Sequence, residues 1–292
     1  MVREGVSLLK VADASGGEYR RSLKLPASEE LIDLLLYRPA AFLLVKVLAR
    51  LPVTPNQVTF LSLASGLAAA WEFSSGTQAG AVRGALFYLA ANILDCADGQ
   101  LARIQQSGTL MGRVLDGSAD YISGFAIFAG LGLGLEAKGD ASWWLVIAAG
   151  VSSSIHSIVF DHYQSDFLQA RAGVQDFAAA EIGRFSREIA RLRSIGEGRI
   201  RVLLLRFYLQ YTRIQRLIGT FAPPCNSPRD RAFMIRLWSF LGPSTNRSLL
   251  ILCALFGAVT LYCRFTALGL NAWLAGGWIL QTILLAREGE PA

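Results

Sequence analysis

The chain has 292 residues, 53% of them apolar and 17% charged, with a mean hydropathy of +0.40. Ordinary soluble domains hold about 45 to 50% apolar and about 25% charged residues, so this balance argues against a soluble globular enzyme and for one membrane domain with modest polar additions. The net charge of +6 is small for a nucleic-acid binder and has to be located before it is interpreted. The four cysteines Cys96, Cys225, Cys253 and Cys263 show no C-x-x-C spacing, and three lie in apolar runs, which reads as reduced and structural.

Residues 1–28 contain no sustained apolar run, since Val6 to Val11 is too short for a signal-peptide core. This segment reads as a polar, cytosolic N-terminus. Residues 29–50 are apolar but carry Asp33, Arg38, Lys46 and Arg50, with Pro39 in their middle. A proline breaks or kinks a helix, so the stretch reads as two short helices, at least one amphipathic and lying in the cytosolic interface. The competing reading, a seventh span, would put three basic residues into lipid at roughly 2.5 to 3.5 kcal/mol each near the centre.

A hydrocarbon core about 30 Å thick needs about 20 apolar residues per helix, and six segments meet that length: 57–74, 82–101, 112–135, 141–161, 248–267 and 269–286. The expected fold is an all-α integral membrane bundle of six helices. Residues 51–163 hold the first four, with the catalytic residues, and 246–292 hold the fifth and sixth. Between them, residues 164–245 carry 13 arginines, no lysine and six acids, a surplus of +7. Basic connections stay in the cytosol, which sets both termini and the 102–111 connection on that side as well. The wealth of arginine, 24 against 4 lysines, hints at a GC-rich genome and a bacterial plasma membrane.

The informative residues are acids inside the membrane, which are functional candidates by default. Asp95 and Asp98 end the second span, and Asp116 and Asp120 lie early in the third. Residues three and four apart share a helix face. Asp95, Asp98, Gly99 and Ala102 therefore form one stripe, and Gly112, Asp116 and Asp120 form another on the facing helix. Four ionised carboxylates at low dielectric repel one another, and a hard divalent cation removes that repulsion. An all-oxygen ligand set points to Mg2+, Mn2+ or Ca2+. Two ions leave positive charge for a diphosphate substrate, Gly99 and Ala102 leave room against the helix, and Arg103 can neutralise phosphate oxygens. A purely structural ion-pair network is disfavoured, because Arg103 and Arg113 cannot neutralise four acids.

Written out, Asp95-x2-Asp98-Gly99-x2-Ala102-Arg103-x8-Gly112-x3-Asp116-x3-Asp120 resembles, at all eight defining positions, the signature of the CDP-alcohol phosphotransferase family. The Pro55-Asn56-x2-Thr59 start of the first span looks like the same family's. The resemblance implies a six-helix membrane enzyme, usually a homodimer, that breaks the diphosphate of a CDP-linked donor with two divalent ions, Mg2+ or Mn2+. By that resemblance Asp95, Asp98 and Asp116 hold the ions. Asp120 completes the second ion's shell and acts as catalytic base, while Gly99, Ala102, Arg103, Asn56, Thr59 and Gly112 bind the substrate nucleotide. The family includes enzymes that move a phosphatidyl group from CDP-diacylglycerol to a polar alcohol, releasing CMP, and enzymes that move a CDP-linked amino-alcohol head group to diacylglycerol. The short chain looks more like the first kind.

Within 164–245, Ile182, Phe185, Ile189 and Leu192, then Leu204, Phe207, Tyr208, Tyr211, Ile214 and Ile218, recur at helical spacing among arginines. They are expected to be basic amphipathic helices lying on an anionic leaflet. His156, Asp161, His162 and Arg247 are expected to line the acceptor pocket or cap their helices. A transporter reading of the four carboxylates remains as the alternative from another class, disfavoured because the acids cluster at one depth.

Overall fold

A computed structural model describes residues 17–24, 26–140, 142–172, 177–195, 198–221 and 228–288, and among these every regular element is helical. Most of the segment 1–28 thus lies outside the described residues. In chain order the helices are α1 (Arg38–Leu48), α2 (Pro55–Ser74), α3 (Gln78–Ile104), α4 (Leu110–Ala137), α5 (Trp143–Ala172), α6 (Phe177–Ser194), α7 (Arg199–Phe221), α8 (Pro228–Trp238), α9 (Pro243–Leu255), α10 (Val259–Arg264) and α11 (Leu270–Glu288). By length and composition, Leu110–Ala137 and Trp143–Arg171 are apolar enough to cross a membrane.

Helix starts follow from local chemistry. Thr54 caps α2 and forms a reciprocal pair with Gln57, while Thr77 and Thr109 accept from the third backbone N–H of α3 and α4. Each cap satisfies a donor that the first turn leaves orphaned. The core joining α2, α3, α4 and α9 is built largely from small residues, among them Ala69, Ala70, Ala81, Ala85 and Ala91. A Cβ added to Gly130 would stand 2.2 Å from the Ala70 carbonyl oxygen, and one on Gly134 would stand 2.1 Å from that of Phe73. Helices α2 and α4 therefore touch backbone to backbone, the close packing that small residues permit in lipid. A second core joins α5, α8 and α11 around Trp238, whose ring stacks on Tyr163 at 5.0 Å.

Four sequence expectations are corrected. Pro39 does not split the 29–50 segment: a π-helical turn over Asp33–Tyr37 runs directly into α1, and this wider turn accommodates the proline without ending the helix. The fifth span does not run over 248–267. Helix α9 stops at Leu255, and the chain reverses at Gly257 in a left-handed conformation, φ 71°, beside Gln78 at the start of α3. The segment near Leu268, expected to be a link, is instead a π-helical turn that carries α10 into α11. Glycine tolerates the positive φ that makes 257 the turning point.

The fourth correction concerns 164–245. The apolar stripe of α6 does not lie on a leaflet: Phe185, Ile189 and Leu192 are buried with Leu205 and Leu209 of α7 against Val114 of α4. Helices α6 and α7 thus form a hairpin docked on the helix that carries Asp116 and Asp120. On α7, Ile200, Leu203, Phe207, Ile214 and Leu217 are exposed and apolar.

Residues ahead of α1 are anchored as well. Glu29 pairs with Arg38 at 2.7 Å, Gln164 donates to the Ser28 carbonyl at 2.6 Å, and Arg236 donates to that of Glu29 at 3.1 Å. Glu30 accepts from the Ser244 and Thr245 backbone N–H groups and the Thr245 hydroxyl, at 2.7 to 3.0 Å, capping α9. One short segment therefore ties α1, α5, α8 and α9 together.

Candidate active site

The site forms where the end of α3 meets the first half of α4. One carboxylate oxygen each from Asp95, Asp98 and Asp116 lies within 4.8 Å of the others. Helical spacing explains the grouping, since Asp95 and Asp98 are one turn apart on α3 and Asp116 faces them from α4. Three hard oxygen donors at this separation suit a divalent cation of the Mg2+ or Mn2+ type. The Thr59 hydroxyl donates to Asp98 Oδ2 at 2.5 Å and Asp98 is 4% exposed, so α2 fixes this carboxylate from behind.

Asp120, one turn beyond Asp116, takes a different partner. Arg247, in the second turn of α9, lies 2.8 Å from Asp120 Oδ1 and 3.3 Å from Asp95 Oδ2, and its guanidinium also donates to Asn92 Oδ1 at 2.9 Å. One cation thus bridges two carboxylates that belong to different helices. The structure brings Arg247 into the aspartate site, about 150 residues away in sequence. Asn92 was missed in the sequence, although it sits one turn before Asp95 on the same stripe.

The small residues and Arg103 make the adjoining surface. Arg103 folds back over Gly99, with Nη2 3.5 Å from where a Cβ on that glycine would stand. Its Nε donates to the Ser22 carbonyl, while its buried Nη2 has no hydrogen-bond partner among the described residues. A buried guanidinium N–H without a partner is costly, and a phosphate oxygen would satisfy it. Gly112, half-buried in the first turn of α4, donates its N–H to Thr109 Oγ1 at 2.9 Å, and a Cβ there would stand 3.4 Å from Asn56 Oδ1. Asn56 itself is exposed at the start of α2, and Ala102 is half-buried near the end of α3.

The remaining expected residues divide. Asp161 Oδ2 accepts from the Tyr211 hydroxyl at 2.6 Å, and Tyr211 packs edge-on against Tyr121, the neighbour of Asp120. His156 is fully buried in another polar cluster, with its Nε2 2.9 Å from Asn271 Oδ1 and Asn271 donating to Ser152 at 2.8 Å. His162 packs edge-on against Tyr163. Among the described residues neither histidine hydrogen-bonds to Asp95, Asp98, Asp116 or Asp120. Tyr121 and Tyr211 were not singled out as site residues, because the α6–α7 hairpin that carries Tyr211 lies outside the motif.

Comparison with known proteins agrees with this geometry. The chain is 31% identical over 104 residues to the archaetidylinositol phosphate synthase of Pyrococcus horikoshii, covering 36% of this chain and 54% of that protein. It is 33% identical over 139 residues to the phosphatidylinositol phosphate synthase of Corynebacterium glutamicum, covering 45% of this chain and 57% of that one. The chain spans about half the length of the curated relatives it matches. The aspartate site lies wholly inside residues 52–176, the stretch of the chain that matches the family model of the CDP-alcohol phosphatidyltransferases.

Proposed function

We propose that this chain moves a phosphatidyl group from CDP-diacylglycerol to a polar alcohol, with release of CMP, at the cytosolic face of a six-span membrane bundle that pairs as a homodimer. The observation that carries the reading is the convergence of Asp95, Asp98 and Asp116 oxygens within 4.8 Å inside the matched segment. The relatives are named as synthases of inositol phosphate lipids, which favours inositol phosphate as the acceptor.

In this reading Asp95, Asp98, Asp116 and Asp120 hold two divalent ions, whose chemistry is to neutralise the diphosphate and stabilise charge on the departing CMP. The Thr59 hydroxyl keeps the Asp98 carboxylate turned toward that site. Gly99 and Ala102 let the nucleotide lie against α3, with Asn56 and Gly112 along its border, and Arg103 Nη2 binds a phosphate oxygen. Asp120 takes the proton from the acceptor hydroxyl. That oxygen then bonds to the phosphorus distal to cytidine, and the bond from this phosphorus to the bridging oxygen breaks, leaving its electron pair on CMP. Arg247 holds Asp120 in position and offers a guanidinium to the acceptor's phosphate. Asp161, fixed by Tyr211, lines the acceptor side. His162 borders it, and His156 supports it from the deeper polar cluster.

Two measurements test this. Asp120→Asn is expected to reduce CMP release at least a thousandfold while leaving the detergent-solubilised protein folded, and chelation of divalent ions is expected to abolish release reversibly. Full activity in either condition would sink the mechanism. For orientation, a cysteine in place of Ser194 should react with an impermeant thiol reagent from the cytosolic side alone. Labelling from the outside would place the site on the wrong face.

A further inference from the structure

The docked hairpin builds a second basic site. Arg184, Arg187, Glu188 and Arg191 recur along α6 at positions that share one face. With Leu110 and Arg113 from the first turn of α4 they line an open cleft of about 530 Å³. Four guanidiniums meet one carboxylate among the described residues lining it, and that carboxylate, Glu188, lies 3.5 Å from an Arg191 that is 73% exposed. No periodicity within a single helix creates this grouping. Arg113 comes from a helix about 70 residues earlier, and the two helices are locked by Val114 and Phe185, both 0% exposed, so the charges are held together by a rigid apolar seam.

From this geometry we infer that the cleft binds a phosphate-bearing ligand, a free phosphomonoester or the head group of an anionic lipid. Planar guanidinium forks match phosphate oxygens in pairs, and the volume suits a phosphate with a polyol or glycerol attached. The site is separate from the aspartate centre yet aligned with it. Arg113 precedes Asp116 by one turn and Asp120 by two on the same face of α4, which sets it about 10 Å along the axis from Asp120. None of the four aspartates lines the cleft, so a phosphate here is held beside the aspartate centre. The inference stands on charge and geometry, independently of the reaction assigned above.

The test is direct binding to the full-length, detergent-solubilised protein with three probes: inorganic phosphate, dihexanoyl phosphatidylglycerol below its micellar concentration, and the zwitterionic dihexanoyl phosphatidylcholine. Each is measured for the native chain, for the triple variant Arg184→Gln, Arg187→Gln and Arg191→Gln, and for the triple change to lysine. The native chain is expected to bind at least one anionic probe about tenfold more tightly than the glutamine variant, with lysine intermediate and phosphatidylcholine indifferent. Tight binding of phosphate identifies a free phosphomonoester, and tight binding of phosphatidylglycerol alone identifies a lipid head group. Equal affinity of native and glutamine chains for both anionic probes overturns the inference. Should the triple variant fail to fold, Arg187→Gln alone is read by the same criterion, with about a threefold loss expected and no loss overturning it.

Discussion

At the scale of single residues, the site depends on one cation placed between two acids. Arg247 bridges Asp95 and Asp120, and hydrogen bonds to charged groups are worth roughly 1.5 to 3 kcal/mol each. Arg247→Gln leaves the two carboxylates facing each other without that bridge, and kcat/KM for CMP release is expected to fall about ten- to a hundredfold. Arg247→Lys should recover only part of the loss, because an ammonium cannot span both carboxylates in the fixed fork of a guanidinium. An unchanged kcat/KM in the glutamine variant would remove Arg247 from the site. The four aspartates were legible in the sequence because a period of 3.6 sorts them onto two stripes. Arg247 could be suspected as an acceptor ligand, but its bond to Asp120 could not be read, since nothing local links α9 to α4. His156 shows the converse: proximity in sequence to Asp161 suggests a shared pocket, and the helix instead turns His156 into a polar cluster with Asn271.

At the scale of elements, close approach and capping decide what each helix can do. Close packing of α2 on α3, where the Ser62 hydroxyl donates to the Ala91 carbonyl at 2.9 Å, brings Thr59 within reach of Asp98. Glu30 fastens the N-terminal segment to α9, the helix that carries Arg247. Burial, with the nearby Asp33 carboxylate, raises Glu30 from 4.5 to about 8, against the pull of its three donors from Ser244 and Thr245. The folded chain then keeps a proton that the unfolded chain releases above about 4.5. This contribution is full below 4.5 and is lost as pH rises through 8. The melting temperature in detergent is therefore expected to fall between pH 5.5 and 8.5, and Glu30→Gln should flatten that slope. A slope identical in the variant would show that Glu30 is not its source. Helix existence was readable from apolar length and caps, whereas the continuity across Pro39 and the reversal at Gly257 were not. Both depend on backbone conformations, a π-helical turn and a positive φ, that leave no periodic mark in the sequence.

At the scale of the whole molecule, the net charge of +6 separates into an acidic centre and a basic hairpin packed on the same helix. The sequence showed the basic segment but not its destination. Its apolar stripe is equally suited to lipid or to a neighbouring helix, and the buried contacts of Phe185 and Leu205 against Val114 decide for the neighbour. This packing sets Tyr211 of α7, outside the family match, against Asp161 and Tyr121, the neighbour of Asp120, inside it. The central claim is transfer of a phosphatidyl group from CDP-diacylglycerol, and CMP release by the purified protein tests it most directly. With divalent metal present, CMP should form from CDP-diacylglycerol when inositol phosphate is supplied, and not when the acceptor is omitted. Release of CMP only from CDP-choline or CDP-ethanolamine with diacylglycerol, and none from CDP-diacylglycerol with any polar acceptor, would contradict it.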